Sequence, residues 1–232
     1  MKRYTAVVLA AGLGKRMNES VPKQYLLLNQ KPILYYSLKA FEESAVDDTI
    51  LVAANGEEEF CKSEIVERFG FKKVRAVVAG GKERYHSVYE GLKAVKNTDY
   101  VLIHDGARPF INTDMIQRSI EAVRLHDACV VGMPVKDTIK ILDADHFVAD
   151  TPERDLVWQI QTPQTFAYSL IFAAYREIMK RDDIQITDDA MVLEHMTGKK
   201  IRVIEGDYRN IKITTPEDMA VARAYAEEYH ML

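Results

Sequence analysis

The sequence predicts an α/β fold, a largely parallel sheet covered by helices on both faces. Three observations carry that expectation. Short apolar, β-rich runs alternate with amphipathic stretches of helical period. Polar segments follow the first, third and fourth of those runs, where the C-terminal ends of parallel strands line one edge and ligands bind. The length, 232 residues, suits one α/β domain with a substantial core.

Taken in order, strands are expected over 5–9, 49–53, 75–78, 100–103 and 128–133, with helices over 33–43, 57–69, 83–95 and 114–126 between them. Right-handed crossovers then bring segment 10–23, the pair Gly80-Gly81 and segment 104–110 to one rim. From 135 to 158 the pattern changes. Two short β-like pieces, 138–142 and 146–149, flank Asp143-Ala144-Asp145 and are too polar for a central strand. They read as a hairpin, either a solvated excursion or an arm that pairs with a second subunit. Helices follow over 168–180 and 188–196, then strands over 200–204 and 210–213. The last helix starts with Thr215 as N-cap, Pro216 at its first position and Glu217 and Asp218 in its first turn. No repeat, low-complexity stretch or linker interrupts the chain, so 1–232 is expected to form a single domain.

A formal net charge of −4 argues against a general nucleic-acid surface. Local basic clusters can still serve a small phosphorylated ligand. Cys61 and Cys129 lie far apart with no Cys or His at metal-ligand spacing, and read as reduced, partly buried small hydrophobes of a cytoplasmic protein. The opening MKRYTAVVLAAGLG imitates a signal peptide, but its apolar run is short and leads straight into Lys15-Arg16. A buried strand ending in a functional loop explains it better, and no run is long enough to span a membrane.

Three stretches carry candidate chemistry. VVLAAGLGKRMNESVPKQYL, residues 7–26, is neither a GxGxxG fingerprint nor a P-loop. Its small residues Ala10, Ala11 and Gly12 let backbone N–H groups approach a ligand, while Arg16 offers a planar fork and Lys23 a mobile point charge to phosphate. Taken singly, each cation reads first as a solvated surface charge. AGGKERYHSVYEGL, residues 79–92, sets paired glycines before an amphipathic helix. Gly80 and Gly81 can bring backbone against a flat base and Ser87 can bond a base edge or sugar; the bland reading is a loop-to-helix entry. LIHDGARPF, residues 102–110, puts Asp105 at the sheet rim, where it can hold Mg²⁺. Gly106 and Ala107 leave room for a nucleotide sugar there, and Arg108 pairs with Asp105 or the ligand. An Asp–Arg pair that only stabilises the turn is the alternative, and His104 reads as a structural hydrogen bonder.

LAAGLGKRM…PKQYL, GGKERYHSV, IHDGARPF, VKDTIK, QTPQTF, TDDA and NIKITTPEDM occur in this order across nearly the whole chain. In that order the chain resembles the 2-C-methyl-D-erythritol 4-phosphate cytidylyltransferases, a family of the non-mevalonate isoprenoid pathway. The resemblance implies a Rossmann-like nucleotidyltransferase domain with residues 136–158 as a protruding β-hairpin dimerisation arm. It implies that Ala10, Ala11, Gly12, Gly80, Gly81 and Ser87 bind CTP, with Asp105 and Ala107 at the nucleotide-sugar and metal edge. Arg16, Lys23 and Lys212 are the implied catalytic cations. Thr138, Arg154, Thr162, Thr187 and Lys212 are the implied acceptor-binding residues, with Arg154 and Thr187 completing the partner's site in a homodimer. The family commonly shows Asp-Arg and a small residue where this chain has Glu153-Arg154-Asp155.

The implied reaction joins CTP and methylerythritol 4-phosphate to give the cytidine diphosphate sugar alcohol and pyrophosphate, with Mg²⁺ or another divalent cation. A phosphate monoester has its second pKa near 6 and is already a dianionic nucleophile, so no Ser, Cys or His nucleophile is needed. Two other readings stand beside it. The ribitol 5-phosphate cytidylyltransferases share the fold and CTP site but often carry Ser-Val where this chain has Gly106-Ala107. A CTP-sensing module without turnover would keep the pocket alone.

Overall fold

The computed structural model describes residues 2–12, 22–181 and 185–228. In chain order, β1 (Tyr4–Ala10) leads to a small hairpin, β2 (Leu27–Leu28) and β3 (Lys31–Pro32), then α1 (Ile33–Glu42) and β4 (Asp48–Ala53). A one-turn helix, α2 (Glu58–Phe60), runs on as a π-wound segment, Cys61–Glu67, before β5 (Val74–Ala79). Then come α3 (Arg84–Ala94), β6 (Tyr100–Asp105), α4 (Thr113–His126) and β7 (Ala128–Pro134). The second half holds β8 (Ile141–Leu142), β9 (Val148–Asp150), β10 (Trp158–Ala167), α5 (Tyr168–Ile178), α6 (Asp189–Thr197), β11 (Arg202–Glu205) and α7 (Pro216–Glu228).

Seven strands form one sheet in the order β5-β4-β1-β6-β10-β7-β11. Every pairing is parallel except those of β10, which runs antiparallel to both β6 and β7. The chain winds outward from β1 to β4 and β5, then returns to lay β6 on the other side of β1. The β1–β6 boundary is therefore the topological switch point, the place where an open α/β sheet leaves a crevice at its C-terminal edge. The fold is Rossmann-like, as the sequence implies.

Alternation along each strand divides the core. Ala6, Val8, Leu51, Ala53 and Leu102 pack against Leu34, Leu38 and Phe41 of α1 and Met115, Ile116 and Ile120 of α4. Val7, Ile50, Val52, Val101 and Ile103 pack on the other face against Val88 and Leu92 of α3, Ile171 and Tyr175 of α5 and Leu193 of α6. A third cluster joins Met219, Ala222 and Ala226 of α7 to Leu28, Ile33 and Ile213. The helix over α7 starts as expected: Asp218 accepts hydrogen bonds from the Thr214 and Thr215 N–H groups at 2.8 and 2.9 Å.

Two expectations need correction. Residues 210–213 form no strand. Asn210 is fully buried and donates through Nδ2 to the Thr162 carbonyl at 2.9 Å, while the Ile213 N–H reaches the Ala107 carbonyl at 2.9 Å. The segment thus lies across the strand ends instead of pairing along one. The sequence reading also missed β10. Its Gln and Thr residues mask a strand, and Pro163 lies where the β10–β7 register shifts between Ile160 and Gln164, the irregularity that tolerates proline.

The expected hairpin is present but shorter: β8 and β9 pair antiparallel, with Ile141 opposite Asp150 and Leu142 opposite Val148. All of 136–151 is exposed, and apolar side chains stand out of it and the following segment. Phe147 is 72% exposed and Leu156 77%, with Ile141, Leu142, Val148 and Trp158 also open.

Candidate active site

A pocket of about 360 Å³ opens at the switch point. Three loops build it, each hung on the strand beside it. The Gly106 N–H bonds the Leu9 carbonyl at 2.8 Å, and the Gly80 N–H bonds the Ala53 carbonyl at 2.7 Å. Gly80 is dictated by packing, since a Cβ there would stand 2.5 Å from the Ala11 Cβ and 2.8 Å from Ser87 Oγ. Ser87 accepts the Gly81 N–H at 3.1 Å and donates to the Glu83 carbonyl at 3.1 Å, so it shapes the glycine turn as well as facing the cavity. Among the described residues, no heavy atom would meet a Cβ on Gly12 within 4 Å, so none of them closes that backbone to a ligand.

Of the expected residues, Ala10, Ala11, Gly12, Lys23, Gly81, Ser87, Asp105, Ala107 and Lys212 line this one pocket. Gly80 stands behind its wall, packed against Ala11. Arg16 lies outside the described residues. Lys23 opens a short 3₁₀ turn, Lys23–Tyr25, held by Gln24, whose Nε2 donates to the Ala10 carbonyl at 2.6 Å. The Tyr25 hydroxyl anchors the same turn on Glu57 at 2.9 Å. The Lys23 ammonium bonds the Ile213 carbonyl at 2.9 Å, which sets it beside Lys212.

Asp105 is the centre of the charge arrangement. Its Oδ2 lies 2.8 Å from the Lys212 ammonium and 3.8 Å from Arg108 Nε, and its Oδ1 accepts from Arg84 Nε at 3.0 Å. Burial alone would push this carboxyl up, but the Arg84, Lys212 and Arg108 cations hold it well below the usual carboxylate range. Beneath it, His104 is fully buried. Its Nε2 bonds the Arg108 carbonyl at 3.2 Å, which can only accept, so the proton is on Nε2 and Nδ1 accepts from the Thr162 hydroxyl at 2.9 Å. Burial drives the imidazole pKa down to about 3, so the ring is neutral, a structural bonder and no general base at neutral pH.

Thr162 accordingly lies under the pocket, 3% exposed, with its hydroxyl oxygen also accepting the Asp105 N–H at 3.1 Å. Thr138 lies on the exposed arm before β8 and Arg154 on the arm's exposed turn after β9. Thr187 is exposed just before α6, its hydroxyl 3.5 Å from Met191 Sδ. None of these last three lines the pocket. The sequence reading missed Gln24, Lys82, Glu83 and Arg84, all of which line it. The signal for Arg84 was present in GGKERYHSV, but its partners are remote in sequence.

Among the described residues no three His, Cys, Asp or Glu side chains gather to cage a metal. Asp105 offers carboxylate oxygens beside Lys212, with Glu83 on the same pocket wall, and each Asp105 oxygen has a lone-pair direction beyond the one taken by Arg84 or Lys212. That donor set fits Mg²⁺ of the kind that keeps waters and takes its remaining oxygens from substrate phosphates. Chemically, the pocket can hold a polyanion: small-residue backbone on one side, Lys23 and Lys212 on the other, and, among the described residues, no activated nucleophile of the protein's own.

Comparison with known proteins agrees with this geometry. The family described as IspD, 2-C-methyl-D-erythritol 4-phosphate cytidylyltransferase, matches residues 4–228. A protein of that name from Lachnoclostridium phytofermentans is 51% identical over 229 residues, covering 99% of this chain and 98% of its own. Another from Geotalea uraniireducens is 50% identical over 227 residues, 96% of either chain. The crystal structure of 4-diphosphocytidyl-2C-methyl-D-erythritol synthase from Anaerococcus prevotii superposes with a TM-score of 0.87 at 36% identity, covering 97% of this chain and 96% of that one.

Proposed function

The chain belongs to the 2-C-methyl-D-erythritol 4-phosphate cytidylyltransferase family and transfers the cytidylyl group of CTP to that sugar phosphate, releasing pyrophosphate; from this premise we propose how its residues divide the work. The observation that carries the proposal is the gathering of Lys23, Lys212 and Asp105 with the Ala10–Gly12 backbone around one pocket.

Ala10, Ala11, Gly12, Gly80, Gly81 and Ser87 receive the cytosine and ribose, and Asp105 and Ala107 border the sugar. The acceptor's phosphate oxygen attacks the α-phosphorus in line with departing pyrophosphate. Its nucleophile is already ionised, since the second pKa of a phosphate monoester is about 6. The obstacle is repulsion between two anions and the charge that grows on the α-phosphate oxygens. Lys23 and Lys212 answer it with positive charge gathered at the pocket, and Arg16 adds the planar fork that suits phosphate. The donor set at Asp105 suits Mg²⁺, which would supply further neutralisation of the triphosphate. Lys212 changes partner in this scheme: its ammonium, now on Asp105, turns to phosphate once the substrates are in.

Thr138, Arg154, Thr187 and Lys212 bind the acceptor, with Thr162 acting from beneath through the Asp105 backbone. The whole chain acts as one domain with 136–158 as its arm. Two arms pair in a homodimer so that Arg154 and Thr187 enter the partner's site; the exposed Phe147, Val148 and Leu156 favour such burial. Two buried free cysteines favour a reducing, cytoplasmic setting, and among the described residues no helix is long and apolar enough to cross a membrane.

Gly106 bears on the choice of acceptor. A Cβ at that position would stand 2.7 Å from Leu34 Cδ1 and 2.9 Å from the Leu9 carbonyl, so the Ser-Val pair of the ribitol enzymes does not fit this backbone. Pyrophosphate release with CTP and Mg²⁺ tests the reading directly. Methylerythritol 4-phosphate is expected to support it and ribitol 5-phosphate to be the poorer acceptor. A reversed preference overturns the substrate, and CTP binding without release from either points to a sensing module.

A further inference from the structure

Arg84 spans two carboxylates that belong to different elements. Its Nε donates to Asp105 Oδ1 at 3.0 Å, while Nη1 and Nη2 reach Asp189 Oδ1 and Oδ2 at 3.0 and 2.8 Å. Asp189 is fully buried in the first turn of α6. It takes a further hydrogen bond, 2.5 Å, from the Tyr175 hydroxyl. The rest of that first turn is held from β10: Gln164 Oε1 accepts the Asp189 and Ala190 N–H groups at 3.0 and 2.9 Å, and its Nε2 donates to Asp188 Oδ2 at 2.9 Å. Asp188 Oδ1 closes the cap on the Met191 N–H at 2.8 Å. Among the described residues, Arg84 is the charged tether from this helix start to the pocket wall.

We propose that Arg84 is a positioning residue, bridging Asp105 and Asp189 so that Asp105, anchored to the start of α6, keeps its place at the pocket and leaves Lys212 to meet the acceptor. The inference rests on the reaction assigned above and deepens it. Only a guanidinium can make the bridge, because one planar fork must serve Asp189 bidentately while Nε serves Asp105; a lysine ammonium has neither the reach nor the directions.

The bridge also keeps Lys212 usable. Arg84, Arg108 and Lys212 face two carboxylates, Asp105 and Asp189, which leaves one positive charge for an incoming phosphate. With Arg84 gone, Asp189 would be a buried carboxylate without a counter-ion, and Asp105 would lean wholly on Lys212. Burial works against the Arg84 charge, but the Asp189 and Asp105 carboxylates more than offset it, so the guanidinium stays protonated throughout the working range.

Asp189→Asn separates positioning from substrate contact, because the side chain is fully buried and lies outside the pocket lining. The variant keeps the shape and removes the charge that holds Arg84. The expected result is a rise of about tenfold in KM for the acceptor, with KM for CTP within about twofold of the parent, in the range such coupling residues command. Tyr175→Phe deletes only the hydroxyl under Asp189 and leaves the ring in the core, so it guards against a folding failure; it is expected to move the acceptor KM in the same direction by about two- to fourfold. Arg84→Lys is expected to reproduce the acceptor defect instead of rescuing it. Unchanged KM values in the folded variants, equal rises for both substrates, or a parental acceptor KM in Arg84→Lys each overturn the proposal. A parent chain that releases no pyrophosphate sinks the assigned reaction and the inference together, whereas an active parent with unresponsive variants sinks the inference alone.

Discussion

At the end of β6 the charges answer one another within the chain: Asp105 has Arg84 at 3.0 Å and Lys212 at 2.8 Å, and Arg108 is 12% exposed beside it. Along 136–151 every residue is exposed, and Arg154 follows on an exposed turn beside an open Leu156. One region is finished inside the protomer and the other is not. The difference follows from what each must hold. A nucleotide site must be preorganised, because fixed charges stabilise a transition state only when they need not rearrange. An acceptor site shared with a second copy, as proposed above for the arm, would leave its residues in solvent until the copy arrives.

The largest effect expected from breaking the finished region is on the chemical step. Lys23→Ala and Lys212→Ala should each lower kcat by about 10²–10³, the loss typical of one well-placed electrostatic stabiliser. Both side chains sit at the pocket surface, and the Lys212 side chain is 35% exposed, so circular dichroism and the thermal midpoint should hardly change. Near-parental turnover in a folded variant would remove that lysine from the step.

The arm should break differently. Arg154→Ala is expected to raise the acceptor KM by about 10–100-fold, the size of a lost charged hydrogen bond, while KM for CTP stays near the parent. Mixing Arg154→Ala protomers with Lys23→Ala protomers sharpens the comparison. If sites are shared, random exchange puts half the chains in mixed dimers, each with one intact site, and roughly a quarter of parental activity should return. No recovery after verified exchange would make each protomer's site its own.

The same contrast explains what could be read in advance. Strands such as β1 and β4 were legible because consecutive apolar residues are required wherever a parallel strand is covered on both faces. Ala10–Gly12 and Asp105 were legible as loop residues, and connectivity predicted that their loops share one rim with Gly80-Gly81; Lys212 came only through the family resemblance. β10 was not, because a strand wedged antiparallel between β6 and β7 uses Gln161, Thr162 and Gln164 to wire the site, and polar residues hide a strand from periodicity. Segment 210–213 looked strand-like for the converse reason: Ile211 and Ile213 are apolar to join the α7 cluster, not to alternate in a sheet. The Arg84–Asp189 pair lay beyond reach, since its members are 105 positions apart and only the fold brings α3 to α6. Thr162 shows a subtler limit, for its motif was noticed but its burial was not.

The smallest effect tests whether the finished region is also finished electrostatically. His104 is neutral in the fold, its pKa lowered by burial from 6.5 to about 3. The unfolded chain therefore binds one more proton at this site between those two values, so stability must fall as pH drops through that window and be insensitive to His104 above it. A full proton difference corresponds to about 1.4 kcal/mol per pH unit. Lowering the pH from 6.5 to 5.5 should thus cost about 1 kcal/mol through this residue, or roughly 2–4 °C in the thermal midpoint for a domain of this length. Asp105 adds to the loss only further down, since its carboxyl is held below the ordinary carboxylate pKa of 3.8. His104→Gln can still bond Thr162 and the Arg108 carbonyl but cannot titrate, so it should flatten the midpoint between pH 6.5 and 5 relative to the parent. An equally steep decline in that variant would locate the acid sensitivity elsewhere and show that the floor of the pocket tolerates a charge. A decline that disappears would assign the acid sensitivity in that range to protonation of the buried imidazole, a constraint the solvent-facing arm does not share.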